Sequence, residues 1–238
     1  MKIYIGFDDT DISGADRGTG KLARWFAAKL PDGARLWGVV RQQFPRLPGI
    51  PFTSNNSSAC LVVDVDKPDI EAVIIDRAVD HLAEHFIPGS DPGLCVVAEN
   101  SPAVSRLMEF GRTANSRIVS QEEAFLAAEG VHLSAHGGTG DGIIGAAAGV
   151  GLTFSGWSGR FIQFGDLRGF DSIVAVADLE KAGIRVISID RDALVPGARD
   201  VVDTEGWLRP RLWGHIAVLP VKAVGPGKWR TIAAKRKA

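Results

Sequence analysis

An apolar segment near the amino terminus is followed at once by a dense run of carboxylates. Residues 3–5 read Ile-Tyr-Ile, and residues 6–11 read Gly-Phe-Asp-Asp-Thr-Asp. The apolar residues predict a short strand over residues 3–7 that ends where the acids begin. Like charges this close repel one another and raise each other's pKa values unless a cation lies among them. The segment therefore predicts a site at the carboxyl end of a strand, a usual position for ligands in open α/β sheets.

Two interpretations of Asp8, Asp9 and Asp11 follow from this run. Hard divalent cations such as Mg²⁺ bind carboxylate oxygens and usually leave other positions to water and substrate phosphates, so the three acids are candidate metal ligands. The same residues are also typical of a solvated turn whose side chains accept hydrogen bonds from backbone amides. The acidic run alone leaves both interpretations open.

Helical and strand-like segments alternate along the rest of the chain. Further strands are predicted over residues 36–40, 59–65, 94–98 and 184–189, and within residues 213–221. Helices are predicted to begin near residues 21, 68, 101 and 120. Gly111 is predicted to end the third of these helices in the left-handed conformation. Such alternation predicts a mixed α/β or α+β fold.

The composition is that of an ordinary globular protein. The chain has 238 residues and a formal charge of −1, with 45% apolar and 23% charged residues. A charge this close to zero excludes a surface that is basic throughout, but leaves room for a local nucleic-acid-binding patch. No apolar stretch approaches the ~20 residues that span a bilayer, and the first residues lack a signal-peptide pattern. A cytoplasmic protein without a membrane partner is therefore expected.

The cysteines and histidines offer no strong metal pattern. Cys60 and Cys95 lie far apart in apolar runs, which predicts buried, reduced thiols rather than a zinc ribbon or a disulfide framework. His81 and His85 share one helix face, an arrangement that can hold zinc. Because that helix adds only Glu84 as a third ligand, a surface pair is the favoured interpretation.

A glycine-rich loop forms the second notable feature. Residues 136–145 read His-Gly-Gly-Thr-Gly-Asp-Gly-Ile-Ile-Gly and lead into a predicted helix of small residues. Glycines let backbone amides approach an anion, and a helix amino terminus adds its dipole. The candidate phosphate-binding residues are Gly137, Gly138, Gly140 and Gly142. Two alternatives stay open: a turn that feeds a close helix contact, and a site where Asp141 holds a metal or a cationic substrate.

Residues 18–21, Gly-Thr-Gly-Lys, look like part of a phosphate loop but are not a Walker A motif. The spacing back to Gly14 is wrong, and Leu22 stands where serine or threonine is needed. Thr19 and Lys21 stay candidates because the loop returns them to the end of the first strand, and Thr10 is a third candidate within the acidic run. Lys21 is equally typical of a solvated first-turn residue.

Together the two loops resemble the archaeal tRNA-isoleucine 2-agmatinylcytidine synthetases. The Gly-x-Asp-Asp-Thr-Asp segment after a strand, and Thr19 ahead of Leu22-Ala23, resemble that family's N-terminal domain. Val40-Arg41 followed by residues 50–52 (Ile-Pro-Phe) resembles its next segment. Residues 140–146 resemble its ferredoxin-like, agmatine-binding region.

The resemblance implies a domain organisation and an activity. It implies a kinase-like domain over residues 1–118 and a ferredoxin-like, agmatine-binding-like domain over 119–221. The cationic residues from Lys222 onward, among which no acid stands, predict a basic tail over 222–238. That family uses ATP and Mg²⁺ to activate the C2 carbonyl oxygen of a cytidine, which agmatine then displaces. Carried over by position, Asp8, Asp9 and Asp11 would hold Mg²⁺ and phosphates. Thr19 matches a threonine that becomes phosphorylated.

The chain also departs from the family. Gly18-Thr19-Gly20 replaces Cys-Thr-Thr, and Thr53 and Asn55 stand where the family has basic residues. An OB-fold and a zinc ribbon follow in the family, whereas this sequence ends before both. We therefore expect an ATP- and Mg²⁺-dependent phosphotransferase or ligase that acts on a tRNA cytidine or a small molecule. Its expected partners are a nucleotide, tRNA or a separate RNA-binding subunit, and a cationic amine.

Two other functions are compatible with the same sequence. One is a nucleotide- or RNA-binding module without catalysis. The other is a subunit of a split synthetase whose RNA-binding parts come from a second chain.

Overall fold

The structure is a computed structural model that describes residues 1–50, 52–53, 55–190 and 194–232. The chain divides into two compact units, unit 1 (Met1–Ser155) and unit 2 (Gly156–Ala238). Within the described ranges, every helix is too short or too polar to cross a lipid bilayer. Pro51 of the Ile-Pro-Phe segment and residues 233–238 of the predicted basic tail lie outside these ranges.

Unit 1 is built on a five-stranded sheet of order β5-β4-β1-β3-β2, in which neighbouring strands are antiparallel. Its elements are β1 (Lys2–Asp8), α1 (Thr19–Phe26), β2 (Ala34–Gln43), β3 (Ser57–Val65), α2 (Ile70–His85), β4 (Gly93–Ala98), α3 (Val104–Ala114), α4 (Gln121–Ala127), β5 (His132–Ala135) and α5 (Gly142–Phe154). Strand β1 is central, so its apolar residues are buried from both sides. The predicted mixed fold is confirmed.

Helices cover both faces of this sheet because β1 presents side chains to each. Tyr4 packs on Phe154 of α5, with ring centroids 4.9 Å apart. Phe7 points the opposite way and packs on Phe26 of α1 at 5.5 Å. His81 of α2 joins that second layer, 2% exposed, and its Nε2 lies 3.0 Å from the Leu22 carbonyl oxygen. The prediction of a surface histidine pair is therefore wrong for His81, which packs in the core.

Helix α5 makes backbone contact with its neighbours. A methyl group on Gly6 of β1 would lie 2.5 Å from the Ala146 carbonyl oxygen, and one on Gly111 of α3 would lie 2.8 Å from the Ala148 carbonyl oxygen. Helix α3 runs through Gly111 to Ala114, so the prediction that Gly111 ends it is wrong. The missing side chain of Gly111 serves helix packing instead of a left-handed cap.

The observed division of the chain differs from the predicted domain boundary after residue 118. Strand β5 pairs with β4, and α5 packs on β1 and β4. These elements therefore belong to unit 1, although the resemblance assigned them to a second domain. The capping box predicted at Ser120 is present, and Cys60 and Cys95 are buried free thiols as predicted.

The described residues of unit 2 form seven strands and one helix. Its elements are β6 (Arg160–Gln163), β7 (Ile173–Ala175), α6 (Val176–Lys181), β8 (Ile184–Ser188), β9 (Val201–Asp203), β10 (Arg211–Trp213), β11 (Ile216–Gly225) and β12 (Lys228–Thr231). The strands follow the order β6-β10-β11-β12-β9-β7, and β8 pairs in parallel with β11. Part of the predicted basic tail thus forms β11 and β12.

Replacing Gly6 with alanine tests the contact between α5 and the sheet. The added Cβ meets backbone of α5, so we expect the free energy of unfolding to fall by about 1–3 kcal/mol, the usual cost of overpacking a core. Urea unfolding followed by circular dichroism measures this loss. Gly225→Ala is the control, because a Cβ there meets nothing within 4 Å. Equal midpoints for Gly6→Ala and the wild type would contradict the close contact.

Candidate functional site

The end of β1 delivers three carboxylates to a cavity of about 360 Å³ in unit 1. Asp8, Asp9 and Asp11 line this cavity together with Asp141 at the start of α5. Asp9 has a φ of 46°, a left-handed backbone conformation that costs energy in a residue with a side chain. The acidic run and the glycine-rich loop thus reach one cavity, which the sequence alone could not establish.

Asp8 is the most strongly perturbed of these acids. Its carboxylate lies against α5 at Gly145, where a methyl group would overlap Asp8 Oδ2. Burial, together with the charges of Asp9 and Asp11, raises the pKa of Asp8 to about 7. Because Gly145 has no side chain, the Asp8 carboxylate fits against α5, where it is largely shielded from water.

Asp9 lies where charges from three segments meet. Burial has the largest effect on its pKa and, with the charges of Asp91, Asp11 and Asp141, raises it to about 6. Asp91 was not singled out from the sequence, because it stands alone in a Ser-Asp-Pro-Gly turn before β4. A cation among these acids would relieve their repulsion.

Asp11 has a different role, since it accepts hydrogen bonds from nearby threonines. Thr19 donates its backbone N–H and its hydroxyl to Asp11 Oδ1, at 3.2 and 3.4 Å. The Thr53 hydroxyl donates to Asp11 Oδ2 at 3.4 Å. The N–H and hydroxyl of Thr10 both lie within 3.3 Å of Thr19 Oγ1. The amide-capping interpretation of the acidic run therefore describes Asp11, which anchors the first turn of α1.

The glycine-rich loop holds a carboxylate of the protein itself. Asp91 accepts a hydrogen bond from the Thr139 hydroxyl at 2.6 Å and from the Gly140 N–H at 3.1 Å. A side chain on Gly138 would overlap the same carboxylate, and both glycines have positive φ values of 56° and 86°. Asp91 thus occupies the position that the phosphate interpretation gave to an external anion.

The other predicted residues divide between the cavity and its surroundings. Thr19 and Gly142 line it, whereas Gly137, Gly138 and Gly140 are not among its described lining residues. Lys21 also lies outside the lining, and its Nζ is 5.1 Å from the Trp25 ring. Thr10 is buried behind Thr19.

Part of the cavity wall is apolar. Its main side chains are Phe44, Ile50, Phe52, Ile118, Val119 and Ile144. A cavity of this size, with an apolar wall and few converging polar groups, is typical of a small-molecule site. No local pattern in the sequence indicates this wall, because its residues come from four separated segments.

Arg117 and Gln121 also line the cavity. Arg117 is bound to Glu123 at 2.6 Å, and Gln121 Nε2 donates to Asp141 Oδ1 at 2.7 Å. Among the described lining residues, Arg117 is the one lysine or arginine. The cavity is therefore acidic, and an anionic ligand needs a cation to enter with it.

The described side chains do not form a complete metal centre by themselves. Among these residues, no three histidine, cysteine, aspartate or glutamate side chains lie together so that they could hold a metal ion. Mg²⁺ usually takes one or two carboxylates and completes its shell with water and substrate phosphates. The carboxylates fit a metal ion that arrives with a phosphate ligand.

The structure is similar to solved structures of a tRNA-modifying enzyme. A "tRNA fluorescent labeling enzyme" matches with a TM-score of 0.54 and 26% identity, over 63% of this chain and 36% of that one. Apo TiaS, an agmatidine synthetase for an isoleucine tRNA, matches with 0.52 and 26% over 63% and 35%. TiaS in complex with that tRNA and ATP matches with 0.53 and 26% over 63% and 36%.

No family model matches the sequence, and no curated protein matches it either. The resemblance seen in the two loops is nevertheless confirmed at the level of structure. The matched region spans little more than a third of the length of these synthetases, 35–36%.

Asp8 and Asp9 give the stability of the protein a pH dependence of defined sign. Because folding raises their pKa values, the folded state binds their protons more tightly than the unfolded chain does. Their stabilising effect is complete below the unfolded pKa of about 3.9 and is lost as pH rises through about 6 and 7. In metal-free buffer at about pH 8, we expect Asp8→Asn to raise Tm by about 2–4 °C, or roughly 1 kcal/mol.

Thermal melts followed by circular dichroism measure this difference, which should disappear at about pH 4. Asp66→Asn is the matched control, because the Arg35 hydrogen bond lowers the pKa of Asp66 and its removal should not raise Tm. A lower Tm for Asp8→Asn than for the wild type at about pH 8 would contradict the unfavourable charge cluster.

Proposed function

We propose that this TiaS-like chain binds ATP with Mg²⁺ in the cavity of unit 1 and activates an acceptor, as a phosphotransferase or ligase. The observation that carries the proposal is the meeting of three features in one cavity: the acidic end of β1, the amino end of α5 and an apolar wall. Solved TiaS complexes contain tRNA with ATP, or tRNA with AMPCPP and agmatine. A tRNA cytidine or a small molecule is the proposed acceptor.

Of the acids Asp8, Asp9 and Asp11, the first two would hold Mg²⁺ directly, whereas Asp11 would stay beside the ion and keep its hydrogen bonds from Thr19 and Thr53. Burial, and after it the neighbouring carboxylates, raise the pKa values of Asp8 and Asp9. A metal cation would offset both effects, which supports this assignment. When bound, the metal supplies charge neutralisation on phosphoryl oxygens during transfer. The same three acids would otherwise repel a triphosphate.

The apolar wall of the cavity and the amino end of α5 suit the base and the phosphates of a nucleotide, respectively. The aromatic and aliphatic wall of Phe44, Ile118 and Ile144 offers a surface for a base. The first turn of α5, at Gly142 and Gly145, exposes backbone to the cavity and adds the positive end of a helix dipole. Arg117, in the lining, adds a positive charge that a phosphate attracts.

The acidity of the cavity also supports a cationic amine as a second ligand. Asp141 accepts a hydrogen bond from Gln121, and its negative charge, like that of Asp91, acts on Asp9. An amine or guanidinium group would compensate this charge without a metal ion. A cationic amine is therefore the proposed co-substrate, and agmatine is the one bound in the TiaS complex.

A nucleotide-binding module without catalysis is the second candidate function. It is favoured by the bond between Asp91 and the Gly140 N–H, which removes one amide from any phosphate contact. ATP binding without turnover would support this alternative.

Calorimetric titration with ATP, with and without Mg²⁺, tests the nucleotide site. We expect binding that depends on Mg²⁺ and that Asp9→Asn weakens at least about tenfold, since one charged metal ligand is lost. Asp16→Asn is the control, because Asp16 belongs to the same loop but is not among the described lining residues. Equal affinity with and without Mg²⁺, or in Asp9→Asn, would overturn the proposal.

Thr19 provides a separate test of phosphoryl transfer. In the proposed step, the Thr19 hydroxyl oxygen bonds to the γ-phosphorus of ATP, the bond between that phosphorus and ADP breaks, and the hydroxyl proton passes to Asp11 Oδ1, which accepts the hydroxyl's hydrogen bond. Intact-mass measurement after incubation with ATP and Mg²⁺ should show one added phosphoryl group in the wild type and in Thr19→Ser. Thr19→Val, which lacks the hydroxyl, should show none. An equal adduct in Thr19→Val would place the acceptor elsewhere.

A further inference from the structure

Burial alternates residue by residue along the segment that ends in β10. The buried positions are Leu208, Pro210 and Leu212, and the half-buried positions between them are Trp207, Arg209, Arg211 and Trp213. Successive residues of an extended chain point to opposite faces, so the indoles and guanidinium groups share one face. Arg209 Cζ lies 3.9 Å from the Trp207 ring centroid, and Arg211 Cζ lies 5.0 Å from that of Trp213.

The register of unit 2 extends this face across neighbouring strands. Arg211 pairs with Arg160 of β6 and with Val218 of β11, and Val218 pairs with Arg185 of β8. Paired residues point to the same side of a sheet. Lys222 lies on the same side as Val218, and it pairs with Arg230 of β12.

These residues define the basic face of unit 2: Arg160, Arg185, Arg211, Lys222, Arg230 and Trp213. Among the described strand residues on this side, Asp203 is the one acid. Arg230 forms ion pairs with Asp203 at 3.4 Å and with Glu205, which follows β9, at 3.5 Å. The opposite side is the core of unit 2, where Ile184, Leu219 and Val221 are buried. Val218 is also buried on the basic side, so the positive charge lies around a covered apolar centre. Arg160, Arg185, Lys222 and Arg230 are exposed there, whereas Arg211 and Trp213 are half-buried.

The positive charges of Arg160 and Arg211 are the least compensated on this face. They lie directly opposite each other on neighbouring strands, an arrangement that like charges destabilise. Neither forms an ion pair with an acid among the described residues, and the buried Nε of Arg211 has no hydrogen-bond partner there. Burial and the charge of Arg160 lower the pKa of Arg211. A phosphate group would compensate both guanidinium groups.

The neighbouring indoles indicate which phosphate ligand fits. Single-stranded nucleic acids bind to surfaces that combine cationic side chains for the backbone with aromatic rings on which unpaired bases stack. Trp213 beside Arg211, and the exposed Trp157 whose ring packs on Gly214, offer such rings. A duplex keeps its bases stacked inside and cannot use them.

We propose that the basic face of unit 2 binds single-stranded RNA, with Arg160 and Arg211 on a phosphate and Trp213 stacked on a base. The positive charge and the aromatic rings of this face are observed whatever the function of unit 1 is. The choice of RNA over single-stranded DNA rests on the proposed function. The face is made by unit 2 alone, so binding requires neither ATP nor Mg²⁺.

Fluorescence anisotropy of a labelled, mixed-sequence oligoribonucleotide of about 12 nucleotides tests the proposal on the full chain, without ATP. We expect Arg160→Ala to weaken binding several-fold and to reduce the slope of log K against log salt by about 0.7. Trp213→Ala should weaken binding about 5- to 100-fold, and Trp213→Phe, which keeps a ring, should weaken it less.

Lys181→Ala is the matched control, because Lys181 is an exposed cation of the same unit that lies on α6. It should bind RNA like the wild type. Melting curves of each variant confirm that it is folded. Since Arg160 is exposed at the end of a short strand, its substitution keeps the test independent of folding.

Several results would overturn the proposal: no binding at about 0.15 M salt, wild-type affinity in both Arg160→Ala and Trp213→Ala, or equal binding of duplex RNA. Displacement of the RNA by millimolar inorganic phosphate would mean a simple anion site. Asp9→Asn should bind RNA normally. If the wild-type chain bound RNA but did not bind ATP with Mg²⁺, the proposed function would be refuted and the basic face would stand.

Discussion

The backbone contact between α5 and the sheet is the constraint on which the candidate site depends. Gly6 and Gly93 lie so close to this helix that a Cβ on either would strike its backbone, at Ala146 and at Gly142. The first turn of α5 is therefore fixed beside the end of β1. Asp8 then fits against Gly145, where no side chain competes for the space. Hydrophobic packing of small residues thus creates the place where the acids meet.

The charges collected at that place oppose folding. Burial and mutual repulsion raise the pKa values of Asp8 and Asp9, and Asp9 also has a left-handed backbone. Such a cluster persists because the buried layers on both faces of the sheet over-determine the position of β1. Sites that give up stability in this way are common where function requires it. The carboxylate of Asp91, by contrast, is stabilised by hydrogen bonds from the glycine-rich loop.

The net charge of −1 conceals two surfaces of opposite sign. The cavity of unit 1 gathers carboxylates and favours a cation, whereas the basic face of unit 2 gathers guanidinium groups and favours an anion. Neither surface is visible in the composition, because the two charges cancel in the sum. An overall charge near zero therefore excludes a uniformly basic protein but not a local nucleic-acid-binding face.

The sequence by itself determined the features that depend on near neighbours. It predicted the strand before the acids, the capping box at Ser120, the buried cysteines and the mixed fold, because propensity, capping and periodicity act over a few residues. It misplaced Gly111 and His81, whose roles depend on the helices packed against them. Only the tertiary structure joined Asp91 to Gly140, placed α5 in unit 1, and aligned Arg160 with Arg211. These pairs are distant in sequence, and strand register and helix packing alone decide which of them meet.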